Sequence, residues 1–157
     1  MNENNLEKLN NITSSLKKLN GKIKLISLLN KAKTAYEKNN YETCLETCEE
    51  ILKKDPNNAI ALRGIGCVMQ SFGNTKKAIN FYNKALEFSE NKEIEYTLLG
   101  TIYYNENNLD NAIKYFNLAI DTNDNYDSAY EGRNQSMLEN HLKILDLQDS
   151  LIRQNIF

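Results

Sequence analysis

Gly66 and Gly100 stand 34 residues apart, and six neighbouring apolar or small positions repeat at the same offset. Leu62 aligns with Tyr96, Ile65 with Leu99, Met69 with Tyr103, Ala78 with Ala112, Tyr82 with Phe116, and Ala85 with Ala119. A fixed period of this length is the mark of an array of supersecondary units. One more step back finds Leu28, Ala32, Ala35, Cys44, Cys48 and Ile51, with the size pattern kept more loosely. One step forward finds Tyr130 and then Arg133 and Asn134, where the pattern fades. The register predicts three units, residues 25–58, 59–92 and 93–126, followed by a capping segment over 127–157.

The spacing inside a unit predicts what it folds into. Tyr96, Leu99, Gly100 and Tyr103 recur at three and four residues, which is one face of a helix. Asn105 to Asn108 interrupts with turn-prone residues. Leu109, Ala112, Ile113, Phe116, Ala119 and Ile120 then form a second amphipathic face. Two short helices cannot bury both faces alone, and stacking on neighbouring units completes the burial. The single proline, Pro56, and six glycines suit an all-α chain far better than an all-β one.

The third unit, Tyr96-x-x-Leu99-Gly100-x-x-Tyr103 and then Ala112-x-x-x-Phe116, resembles the tetratricopeptide repeat, with Tyr96 where tryptophan is usual. Gly73 and Asn107 fall in the turns inside units, where a residue tolerant of positive φ is useful. Pro56 ends the first unit where the family expects proline; Glu90 and Asp124 depart from that. The resemblance covers about residues 25–138. It implies an all-α, right-handed superhelical solenoid of antiparallel helix pairs. It also implies that the first helix of each unit lines a concave groove that binds another protein's peptide or helical segment. The inward positions are then Ile26, Leu29, Lys33 and Tyr36 in the first unit and Ile60, Arg63, Cys67 and Gln70 in the second. The third contributes Ile94, Thr97, Leu98, Thr101, Tyr104 and Asn105. Few of these are charged, and Tyr36 and Tyr104 are the candidate anchors.

Some relatives grip the acidic C-terminal tails of cytosolic heat-shock chaperones with a clamp of paired cations and amides. The matching positions here are Leu29 and Lys33, then Gly64, then Ile94 and Leu98. Moving one unit along gives Arg63 and Cys67, Leu98, and Ser128 and Gly132. Neither set supplies the clamp.

The flanks carry their own patterns. Residues 1–24 are predicted as an amphipathic basic helix, in which Leu9, Ile12, Leu16, Leu19, Ile23 and Ile26 alternate at three and four. Asn20-Gly21 predicts an end to one helix before the next begins. This segment packs on the first unit, pairs in a short coiled coil with a second copy or a partner, or lies on an anionic surface. At the other end Leu138, Leu142, Leu145, Ile152 and Ile156 form a stripe, with Ile144, Leu147 and Leu151 beside it and Phe157 last. It is expected to cap the last unit, to mediate self-association or to dock a partner. Either terminal helix filling the groove in cis is a further reading.

Net charge is −2, yet Lys8 to Tyr36 holds seven lysines and no acid, so the rest is strongly acidic and predicted not to bind nucleic acid. No apolar leader and no membrane-length run is seen, and three cysteines without framework spacing fit reduced thiols, so a cytoplasmic protein is expected. Cys44 and Cys48 share a helix face but occupy core positions, which predicts structural thiols and no metal site. With one histidine, His141, and no nucleophile or phosphate-loop motif, neither enzyme activity nor a cofactor is expected.

Overall fold

The computed structural model describes residues 3–154, side chains from Leu6 onward. Ile156 and Phe157, assigned to the terminal apolar stripe, lie outside this range. Seven helices follow one another: α1 (Glu3–Glu37), α2 (Tyr41–Leu52), α3 (Ala59–Ser71), α4 (Thr75–Phe88), α5 (Lys92–Asn105), α6 (Leu109–Thr122) and α7 (Asp127–Gln154). No strand occurs among the described residues. The chain is an all-α solenoid in which α1 pairs with α2, α3 with α4, and α5 with α6, each pair resting on the next. The odd-numbered helices also touch along one side, α1 against α3 and α5 against α7.

One local device is repeated at every turn inside a pair. Asn39, Gly73 and Asn107 have φ of 56°, 71° and 61°, the left-handed region that lets a helix end abruptly. The next residue each time is an asparagine, Asn40, Asn74 or Asn108, whose side chain accepts from a backbone N–H of the new helix. Asn58 caps α3 in the same way. The asparagine richness of the chain therefore has structural work at these four caps and two turns.

The core follows the 34-residue register. Ala78, Tyr82, Leu99, Ile102, Ala112, Phe116 and Ala119 are buried, and in the first unit Ala32, Ala35, Cys44, Cys48 and Ile51. Glycines allow the close approaches: a Cβ on Gly66 would fall 2.6 Å from Tyr82, and one on Gly132 2.4 Å from Phe116.

The flanks differ from expectation. No break separates residues 3–24 from the first unit, because α1 runs as one 35-residue helix through Asn20-Gly21. A glycine inside a helix costs only about 1 kcal/mol, and the neighbouring turns outweigh it. The outer half of α1 does not pack on the first unit: every residue from Leu6 to Lys24 is exposed. The first half of α7 caps the array, burying Ala129 and Ser136 against α5 and α6. Lys143 donates to Asn107 on the preceding turn. From His141 onward every described residue except Lys143 is exposed. Among the described residues no helix is long and apolar enough to cross a membrane.

Candidate protein-binding groove

The odd-numbered helices present the inward positions side by side. Leu29, Lys33 and Tyr36 of α1 meet Ile60, Arg63 and Cys67 of α3 around a pocket of about 190 Å³. Ala32, Cys44, Cys48 and Gly64 form the rest of its wall. Ile26 lies just outside it and stays exposed, in line with the stripe along α1. Tyr36 is half-buried, its hydroxyl 3.2 Å from Ser71 Oγ and its ring tilted against Tyr41 at 5.7 Å. Gln70 accepts from the Tyr82 hydroxyl at 2.7 Å, which leaves its amide NH2 for other partners.

Between the second and third units the floor of the groove is ionic. Arg63 Nη1 donates to Glu95 Oε1 at 3.0 Å, and the Glu95 side chain is 0% exposed. Glu95 Oε2 and Thr97 Oγ1 are buried without a partner. The register explains why this pair stands out: the residues 34 before and after Glu95 are Ala61 and Ala129, both fully buried. The repeat pattern, built on apolar and small positions, did not single out Glu95. An acid sitting where its counterparts are alanine was the available signal.

In the third unit Ile94 is half-buried and Asn105, the last residue of α5, is exposed. Thr101 donates to the Thr97 carbonyl at 2.9 Å. Leu98 packs against the cluster that contains Tyr82 and so serves the core as well as the groove. Tyr104 lies near Glu139 and Gln135 of α7, and the Glu139 carboxylate beside it raises the phenol pKa. The inward face is thus continued onto the capping helix, which takes the place of a fourth first helix. Among the described residues neither terminal helix lies across it: α1 packs mainly on α2 and α3, and α7 mainly on α5 and α6.

The three thiols of this region are unpaired and poorly nucleophilic. Burial pushes Cys48 up to about 12, with the neighbouring Cys44 adding to the effect. Burial also raises Cys44 and Cys67, the latter beside the Tyr82 hydroxyl at 3.5 Å. A thiol must ionise to attack or to bind a metal. Among the described residues no group of three or more His, Cys, Asp or Glu is placed to hold a metal ion.

Comparison with known proteins agrees with this geometry. Tetratricopeptide-repeat family models match residues 38–91 and 96–126, together more than half of the chain. No curated protein sequence matches it. A mutant Thermobaculum terrenum O-GlcNAc transferase is similar in structure, with a TM-score of 0.66 at 19% identity over 72% of this chain, which spans only 22% of that enzyme's chain. The Sgt2 TPR domain of Aspergillus fumigatus gives 0.66 at 16% identity, over 75% of this chain and 80% of that one. The first TPR domain of Spaghetti (RPAP3), bound to the HSP90 peptide SRMEEVD, gives 0.64 at 14% identity, over 73% and 91%. At these identities the likeness speaks to fold. Together with the 34-residue register, the family matches show that this chain belongs to the tetratricopeptide repeat family.

Proposed function

We propose that the chain is a non-catalytic interaction scaffold that holds a peptide or helical segment of another protein in the groove of α1, α3, α5 and α7. The observation that carries this reading is an inward face left uncovered by both terminal helices. Stacked repeats make extended concave surfaces of this kind for binding, and the RPAP3 domain of similar fold holds a peptide. The clamp for a chaperone's terminal carboxylate is not built here, since its positions hold Leu29, Gly64, Ile94 and Leu98. A different segment is therefore expected. The test is a photo-crosslinker placed at Thr101, compared with one at Lys84 on α4, in wild type and in a Tyr36→Ala/Tyr104→Ala double variant. Crosslinks from Thr101 alone, lost in the double variant, support the groove. Equal capture from both positions, or capture untouched by the double variant, refutes it.

A second reading rests on the outer half of α1. Leu9, Leu16 and Ile23 occupy heptad position a, and Ile12, Leu19 and Ile26 position d, all exposed. Parallel pairing of two copies would set Lys8 and Lys22 opposite Thr13 and Ser27, with no like charges in contact, whereas antiparallel pairing brings lysines together. Sedimentation should show a dimer that Leu16→Glu converts to monomer. A wild-type monomer ends this reading.

A further inference from the structure

The pocket between the first and second units exists because a ring is missing. In the second unit Tyr82 fills the space beside Gly66 of its own unit, and Leu98 of the next unit packs on its cluster. In the third, Phe116 lies between Gly100 and Gly132, whose added Cβ atoms would fall 2.9 Å and 2.4 Å from its ring. The residues at the same register in the first unit are Ala32, Cys48 and Gly64. Three small residues meet where the array otherwise inserts an aromatic ring. Gly64 lets the helices draw partly together, with its missing Cβ only 2.8 Å from Cys48 Sγ. The remaining space stays open to the groove as the 190 Å³ pocket. Apolar cavities on the order of 150 Å³ take a benzene ring.

We infer that this pocket is the anchor site of the groove, and that it takes an aromatic side chain from an acidic segment of the partner. The inference rests on the groove reading above and specifies its ligand. Leu29, Ala32, Tyr36 and Ile60 give apolar walls, and the thiols of Cys44 and Cys48, held protonated by burial, add soft uncharged surface. Only two charged residues line the pocket, Lys33 and Arg63, and both are cations. Lys33 is largely exposed and makes one pairing, with Glu37 at 3.7 Å. Glu95 engages Arg63 through Nη1, leaving further donors of the guanidinium fork. A ring inserted between these two side chains places its flanking residues beside their free N–H donors, where a carboxylate finds hydrogen-bond partners and a lysine finds none. A few buried anchors, aromatic side chains prominent among them, carry most of the binding energy at interfaces.

The probes are blocked pentapeptides Glu-Glu-X-Glu-Glu, with X as Phe, Leu or Ala, and Lys-Lys-Phe-Lys-Lys, titrated into the full chain and followed by amide NMR. The Phe peptide should bind about tenfold or more tighter than the Ala peptide. It should shift the amides of Ala32, Gly64 and Cys67, and the basic peptide should not bind. Cys48→Phe restores the ring of the other units over Gly64. It should keep or raise the melting temperature and abolish Phe-peptide binding. If Cys48→Phe does not fold, Gly64→Leu, which copies Leu98, plugs the same space. Equal affinity for the Phe and Ala peptides overturns the inference, as does Phe-peptide binding that survives in a folded plugged variant. The crosslinking test separates the two readings. Capture lost in the Tyr36→Ala/Tyr104→Ala variant but intact in Cys48→Phe leaves the groove standing and removes the pocket.

Discussion

The junction between α2 and α3 and the junction between α6 and α7 are built on the same register, yet one is open and the other closed. At the closed one Phe116 is 2% exposed and lies against glycines on both sides. At the open one Cys48 is equally buried from water but is too small to fill the frame, and a pocket remains. The backbone frame fixes where a side chain goes; the size of that one side chain decides whether the place is core or binding surface. Between the two lies a third solution, in which Tyr82 fills the ring position and Arg63 with Glu95 replaces an apolar contact on the groove floor.

The comparison can be broken at either end. Phe116→Ala should have the largest effect, because it opens at the last junction the void that the first already has. A loss of about 3–5 kcal/mol in urea unfolding is expected. The same experiment on Cys48→Ala should cost far less, since the surroundings are already under-filled. Arg63→Ala comes next. It strands the Glu95 carboxylate, which has no exposure and one unpaired oxygen, and should cost about 3 kcal/mol. Replacing both partners, as Arg63→Met/Glu95→Leu, should recover most of that stability.

Added volume sharpens the contrast further. Gly132→Ala places a Cβ against a ring that Gly100 holds from the other side, and about 1–3 kcal/mol should be lost. Gly64→Ala meets a single sulfur that can swing into the pocket, so its cost should be smaller. A reversal of that order by thermal melts would show that the pocket is not free space.

The smallest effect is alkaline. The Cys48 thiol titrates near 9.0 when unfolded and is pushed up to about 12 in the fold, so the native state holds its proton longer. Its contribution is fully present below pH 9 and is lost as pH rises toward 12, at no more than about 1.4 kcal/mol per pH unit. Burial raises Cys44, Cys67 and Tyr82 as well, which adds to the same trend. Urea titrations at stepped pH should show a shallower decline in Cys48→Ala than in wild type.

The repeats were legible because seven positions from Leu62 to Ala119 recur at one interval, and helix periodicity within an interval places each on the inner face. The same register foretold Gly73 and Asn107 at positive φ. The pocket was not legible, although Cys44 and Cys48 were assigned to core positions. It depends on Ala32, Cys48 and Gly64 from three helices meeting, and only the stacked structure shows their joint deficit of volume. The course of α1 was misread for a local reason. Asn20-Gly21 is a turn pair by propensity, but helix continues on both sides and no tertiary contact asks the chain to bend. Six of the fourteen proposed groove residues line the pocket between the first and second units, while Leu98 also packs on the core.

The unbroken course of α1 has a kinetic consequence. A free helix as long as its outer half is marginal in water, because starting a helix is the unfavourable step. Here the inner half, held by α2 and α3, provides the start, and residues 6–24 extend it by roughly 28 Å, tied to α2 only at its base by the exposed Lys24–Glu50 pair at 4.0 Å. Their amides should exchange in a smooth gradient, fastest toward the N-terminus, with no common opening event. Anything that covers the stripe would turn that gradient into a plateau, so hydrogen exchange along this one helix reads out engagement far from the groove.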